Sequence, residues 1–555
     1  MMAGDQSSTL TTHEVENQPP PLADYDAFRT DRCLVEAVKR EGADWAESRL
    51  SAFGKMIGSA AVIELGDLAN RFPPQLRTHD RFGHRIDEIE YHTAWHELMA
   101  LGMEHELHAL PWNEPRPGSH VARAALAFLM NQAESGVCCP FAMSCGSIVT
   151  LRHQEDLAAE WEPRLRSTRY DKRCQPADEK TAATIGMAMT EKQGGSDVRA
   201  NTTRAVPVEA EGSGAFLLTG HKWFFSAPMS DAFLTLAYSP GGLSCFLVPR
   251  WLPDGSRNRF FIQRLKDKLG NRSNASSEIE YHDTWARLVG EEGRGVPTII
   301  EMVQQTRLDA AISSAALMRQ ALVQAVHHAT HRSAFQRRLI DQALMQNVLA
   351  DLAIESEAAT ILSMRLARAF DESASDERAR AFARIGTAIA KYWTCKRAPS
   401  FVYEALECLG GNGYVEESIM PRLYREAPIN SIWEGCGNVI CLDILRTLRK
   451  EPVALEALLA ELRAAEGADR RLDAAVRSLA EDLRQTEASE AVGRRLAERL
   501  ALALQAALLF RGGNTAVADA FCASRLAGDW GRAYGTLPDG LALARIVERA
   551  RPSPA

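Results

Sequence analysis

Residues 430–438 read NSIWEGCGN, which sets one carboxylate, Glu434, between the indole of Trp433 and two glycines, Gly435 and Gly437. An acid meant only for solvation normally stands among polar neighbours on an open face, where it keeps its water at little cost. Here an aromatic ring adjoins it and small residues let another group approach closely. Proton transfer is the chemistry open to a carboxylate in such a place, because burial raises its pKa and strengthens it as a base. An acid that caps a turn is the alternative.

Three further stretches have residue types suited to a ligand. In MTEKQGGSD, Met189 to Asp197, the hydroxyls of Thr190 and Ser196 flank a Gly-Gly turn. Such a loop can bring backbone N–H groups up to a flat polar heterocycle or an anion, and it can equally be a hairpin turn. In GHKWFFS, strand alternation sends Phe224 and Ser226 to one face and Trp223 and Phe225 to the other, and either pair can be core. The glycine-rich CLGGNGYVEE, Cys408 to Glu417, follows helical text rather than a strand. It is therefore no Rossmann fingerprint, although a turn approached by phosphate fits it.

The elements that must position these residues follow from texture. Residues 1–24 end in QPPPL, an extended arm with little to bury by itself, which should lie on another part of the structure. From 25 to 180 apolar residues recur every three or four positions, as in AWHELMALGMEHELHAL, and predict amphipathic helices. From 181 to 290 short β-branched and aromatic runs are cut by Gly, Pro and Asn, and predict a small, mainly antiparallel domain. Helical periodicity returns over 291–448 and again over 449–555, where Leu455, Leu458, Leu459 and Leu462 follow Pro452. The fold class is mainly α with a central β domain: α, β, α, and an extra C-terminal helical domain.

At 555 residues, 46% apolar and 25% charged, the chain can build three or four ordinary domains. A net charge of -8 gives no global basic field, so a contact with nucleic acid or an anionic membrane needs a local patch. The 11 cysteines contain no CxxC pair and no Cys/His cluster at zinc spacing, which predicts reduced cytoplasmic thiols and no metal. LALALQAALLF, the longest greasy helix-like run, is about half a membrane span, so no membrane association is expected.

In order, MTEKQGGSD with GHKWFFS, KLGNRSNASSEIEY, HRSAFQRRL, LGGNGYVEESIMPRLYRE and IWEGCGN resemble the acyl-CoA dehydrogenase family over roughly residues 50–448. NQPPPL near the start, MTEKQGGSDV followed by NTTRA, and the added C-terminal helices resemble most closely its AidB branch, flavoproteins of the bacterial response to DNA alkylation. The resemblance implies FAD, a homotetramer, and α,β-dehydrogenation of a short or branched acyl-CoA, isovaleryl-CoA-like and weak in the AidB branch. It implies Glu434 as the base that removes the thioester α-proton, supported by Arg307. Some members carry their base on the helix opening the C-terminal domain, but that position here is Thr306, which cannot serve.

The resemblance also implies cofactor contacts by Met189, Thr190, Ser196, Phe224, Phe225 and Ser226, together with Trp433, Gly435 and Asn438. Arg332, Phe335, Gly410 and Gly411 would reach the FAD of a neighbouring subunit. The family's glutamine near this contact falls on Ala343, with Gln342 one place early. For the AidB branch a double-stranded DNA partner is implied as well. From 441 to 555 the chain carries 16 Arg and 1 Lys against 16 Asp plus Glu, and guanidinium forks suit phosphate. Arg446, Arg449, Arg477, Arg494 and Arg495 are the expected contacts. The other reading is a metabolic short- or branched-chain acyl-CoA dehydrogenase with no DNA role.

Overall fold

The computed structural model describes residues 12–208, 214–484 and 489–552. Helices from Arg32–Arg40 to Glu155–Leu165 make the first layer, as the periodicity predicts. They are interrupted by an antiparallel hairpin, β1 (Gln75–His79) and β2 (Arg85–Glu90), which the helical reading of 25–180 does not contain. Its strands are short and mostly polar, and the apolar Leu76 and Ile89 lean on the β domain, where buried Asp87 also accepts from the Ile262 N–H at 3.1 Å. Asp80 closes its turn by accepting from the backbone N–H groups of Phe82 and His84.

Among the described residues seven strands make the middle domain: β3 (Ile185–Ala188), β4 (Arg204–Pro207), β5 (Ala215–Ser226), β6 (Ala232–Ser239), β7 (Gly242–Pro249), β8 (Phe260–Leu265) and β9 (Ser276–Val289). Strands β6, β4, β5, β9 and β7 pair in sequence and β7 pairs back to β6, so the sheet closes and leaves β3 and β8 as attached outer strands. Closure removes the exposed edges that an open sheet would offer. All pairs are antiparallel except β3 with β6 and β4 with β6. The barrel is filled by Phe225, Phe233, Phe246 and Phe260 with Ile262 and Ile279.

The bundle is built on three long helices, Gly295–His331, Ala343–Glu372 and Glu377–Cys408, followed by Gly437–Lys450. The first, 37 residues, is roughly 55 Å long at 1.5 Å per residue. Among the described residues the C-terminal helices, chiefly Pro452–Arg463, Arg470–Arg484, Gly493–Arg511 and Leu543–Ala550, share the core of the bundle. Leu458, Leu500, Leu504 and Val547 belong to the same apolar cluster as Leu362, Ile389 and Leu34. An ionic cluster fastens the last segment: Arg525, with a fully buried side chain, meets Asp351 and Glu355, and Asp351 also accepts from Trp530 Nε1 and the Gly535 N–H.

The extended arm lies along the bundle. Asn17 Nδ2 donates to the Ser333 carbonyl at 2.8 Å, Arg332 donates to the Asn17 carbonyl at 2.6 Å, and Asn412 Nδ2 donates to Gln18 Oε1 at 3.0 Å. Among the described residues no helix is long and apolar enough to cross a membrane, and no group of three or more His, Cys, Asp or Glu could hold a metal ion.

Candidate active site

Where the first helical layer, the barrel and the bundle meet there is a cavity of about 830 Å³, and Glu434 is on its wall. Residue 434 has φ +58° and Gly435 has φ +103°, so a non-glycine residue is held in the left-handed region just before the helix Gly437–Lys450 begins. That conformation costs of the order of 1–3 kcal/mol and persists only where the surroundings impose it. They do so through the backbone. Arg307 Nε donates to the Glu434 carbonyl at 3.0 Å, and Lys391 Nζ donates to the Gly435 carbonyl. Arg307 is itself fixed by Asp443 at 2.8 Å, which also takes Arg384.

The strained turn sets the carboxyl group beside Thr306, whose hydroxyl donates to the Val303 carbonyl at 3.2 Å, while Oε2 is shut from solvent with no partner among the described residues. Burial raises the pKa of Glu434; Thr306, Arg307 and Lys391 oppose the rise without cancelling it. Two neighbours that spacing does not reveal sharpen the setting. Burial lowers Lys268 to about 8 and raises Glu426 to about 7, and both line the same cavity.

Met189, Thr190, Ser196, Phe224, Ser226, Trp433, Gly435 and Arg307 all reach this cavity. Alternation along β5 decides which phenylalanine does. Phe224 keeps 49% of its surface exposed, whereas Phe225 is fully buried in the barrel with its ring 4.2 Å from Phe233. The Phe225 side chain therefore faces the barrel core and not this cavity. Asn438 is also off the wall: it is exposed in the first turn of its helix and its Oδ1 accepts from Arg494 Nε at 2.8 Å. Arg332, Phe335, Gly410 and Gly411 lie away from the cavity, on the face crossed by the arm. There Phe335 is 93% exposed and a Cβ at Gly410 or Gly411 would meet nothing within 4 Å.

The donor set suits a flavin. A Cβ at Gly195 would stand 2.3 Å from Thr190 Oγ1, so only glycine keeps that hydroxyl on the wall, and Phe224 offers an aromatic face beside the Ser226 hydroxyl. Of the arginines expected at phosphate, Arg446 lines the cavity instead, while Arg449, Arg477, Arg494 and Arg495 are exposed and have no carboxylate partner among the described residues. Arg471, Arg499 and Arg511 are spent on Asp469, Asp482 and Glu461.

A closed β barrel between helical layers, a four-helix core, and a desolvated carboxylate sharing a cavity with a flavin-type cradle define an acyl-CoA dehydrogenase. The chain matches the Adaptive response protein AidB N-terminal domain over residues 17–172, the Acyl-CoA dehydrogenase middle domain over 186–284 and the Acyl-CoA dehydrogenase C-terminal domain over 293–449. It is 46% identical to AidB of Escherichia coli (strain K12) over 513 residues, 92% of this chain and 94% of that protein. It is 33% identical to acyl-CoA dehydrogenase family member 11 of Caenorhabditis elegans over 73% of this chain and 67% of that one. The crystal structure of Caenorhabditis elegans ACDH-11 in complex with C11-CoA superposes with a TM-score of 0.85 at 27% identity, covering 94% of this chain and 95% of that one. The chain belongs to the acyl-CoA dehydrogenase family, in its AidB branch, and is an FAD-dependent oxidoreductase of that type.

Proposed function

We propose that the chain oxidises short or branched acyl-CoA thioesters between the α and β carbons, with Glu434 as the base. The observation that carries this reading is the Glu434 carboxyl group, with raised pKa and an unpartnered Oε2, on the wall that also bears Thr190, Ser196, Phe224 and Ser226. Bound FAD supplies the hydride acceptor. Everything else is the work of the chain: Glu434 takes the α-proton onto a carboxylate that burial has made basic. Arg307 and Lys391 hold the turn in its left-handed conformation, and Trp433 with Phe224, Met189 and Ile299 keeps the cavity apolar around the reacting carbons. The test is the visible spectrum of the purified protein followed by anaerobic titration with isovaleryl-CoA. Flavin absorption that bleaches on titration supports the reading; a flavin that no short acyl-CoA perturbs defeats it.

Assembly as a homotetramer belongs to the same proposal. The exposed Phe335, the open Gly410–Gly411 turn and the arm that straps Arg332 beside them form a surface suited to a neighbouring subunit's cofactor.

The second reading, protection of DNA from alkylation through double-stranded DNA binding, is favoured by Arg449, Arg477, Arg494 and Arg495, which are exposed and have no carboxylate partner among the described residues. The helices carrying Arg449 and the 494–495 pair pack together, with Gly493 against Leu445. Removing everything after residue 448 cannot test this, because Leu458, Leu500 and Leu504 complete the bundle core. Exchanging the four arginines for glutamine in the full chain can. Loss of duplex affinity with a shallower salt dependence supports the reading, and unchanged binding places any DNA contact elsewhere.

A further inference from the structure

Proton abstraction leaves one wall of the cavity without a task. The helix Ser119–Ala133 presents Arg123, Ala127 and Asn131 at four-residue spacing, and the helix Gly295–His331 presents Asp309, Ser313 and Leu317 at the same spacing; all six line the cavity. Polar residues join the two helices in two rungs. Arg123 pairs with Asp309, and Ser313 Oγ donates to Asn131 Oδ1 at 2.8 Å. Asn430, four residues before Glu434 and 1% exposed, adds a third link by donating from Nδ2 to Ser313 Oγ at 3.1 Å.

The hydrogen directions in this chain are forced. Asn131 Nδ2 donates to the Ala127 carbonyl at 2.8 Å, so its Oδ1 is the acceptor side. The single hydroxyl hydrogen of Ser313 is used on that oxygen, so Ser313 can only accept from Asn430, which must turn its Nδ2 inward. Among the described residues Asn430 Oδ1 is left with no donor, and Asp309 Oδ2 also has none. A buried acceptor without a donor costs about 1–3 kcal/mol, and two of them on one cavity wall call for a partner that brings hydrogens.

The place of these acceptors relative to the chemistry follows from helix rise. Thr306 meets the Glu434 carboxyl group; Asp309 lies roughly 4.5 Å and Ser313 roughly 10 Å further along the same helix. The acceptors therefore stand beyond the reacting carbons, on the side where Ala127, Leu107, Phe141 and Leu317 enclose the cavity.

We infer that this inner end selects acyl groups that carry a hydrogen-bond donor, a hydroxyl or amide N–H, a few carbons beyond the reacting pair, in preference to plain alkyl chains. The inference rests on the acyl-CoA reading above and names the acyl class within it.

The test uses the full-length, FAD-loaded protein and CoA thioesters paired by heavy-atom count, 5-hydroxypentanoyl-CoA with hexanoyl-CoA and 6-hydroxyhexanoyl-CoA with heptanoyl-CoA. Dissociation constants come from isothermal titration and flavin reduction is followed in parallel. At least one hydroxylated member should bind about 10-fold or more tightly than its alkyl partner. The preference should fall toward parity in Asn430→Leu and in the milder Ser313→Ala. Alkyl members that bind as well or better in both pairs overturn the inference while the acyl-CoA reading stands. If no thioester binds or bleaches the flavin, the acyl-CoA reading fails and takes this inference with it.

Discussion

Arg307 grips Glu434 by its backbone: the guanidinium Nε donates to the Glu434 carbonyl at 3.0 Å while Nη1 holds Asp443 at 2.8 Å. The arginine thus sets the direction of the carboxyl group through the peptide that follows it, and its charge opposes the rise in pKa that burial produces. Lysine keeps the charge but cannot span both acceptors with a planar fork. Arg307→Lys should retain FAD and lower the rate of flavin reduction by saturating acyl-CoA about 10-fold or more, measured by stopped flow.

Glu434→Gln should keep the cofactor and reduce the same rate by about 100-fold or more, the loss typical of removing a general base. A wild-type rate in this variant would remove Glu434 from the mechanism.

The pH dependence has a definite sign. Glu434 works only when deprotonated, and burial raises its pKa, so the rate should fall on acidification with a midpoint above the ordinary carboxylate value of about 4.3. A raised pKa in the folded state also means that the stability tied to the protonated form is present at low pH and lost as pH rises through the folded pKa. The ionised group therefore destabilises the fold at neutral pH. Glu434→Gln should melt higher than wild type at pH 8, with the gap closing at low pH.

At the flavin cradle, Gly195→Val would drive a side chain into Thr190, whose Oγ1 stands 2.3 Å from the position of a Cβ. The purified variant should show a large loss of flavin absorbance relative to protein, and Ser196→Phe should do the same by filling the adjoining wall. Full occupancy in both would make MTEKQGGSD only a turn.

Asp351→Ala leaves Arg525 buried without one of its two carboxylates and removes the acceptor for Trp530 and Gly535. Breaking a buried pair this way costs about 3–5 kcal/mol. Thermal unfolding should move sharply downward, and because the C-terminal helices share the bundle core the loss should appear in the main transition.

The order of layers was legible in the sequence because helix and strand periods differ, 3.6 against 2, and persist over whole domains. Glu434, Thr190, Ser196, Phe224 and Ser226 stood out in short motifs, but their roles came from the resemblance to the acyl-CoA dehydrogenase family, and packing brings all five to one cavity. The β1–β2 hairpin could not be read, since its few apolar residues serve a barrel formed from residues a hundred positions later. Arg123, Asn131, Asp309 and Ser313 were equally hidden: polar residues in Ala-rich helical text read as solvated face until two helices are brought together. The left-handed turn at Glu434, the choice of Phe224 over Phe225, and the single core beneath the C-terminal helices are likewise products of packing. Sequence specifies periodicity and local turn chemistry, which depend on neighbours in the chain; burial, hydrogen direction and pKa depend on neighbours in space, and only the tertiary structure supplies those.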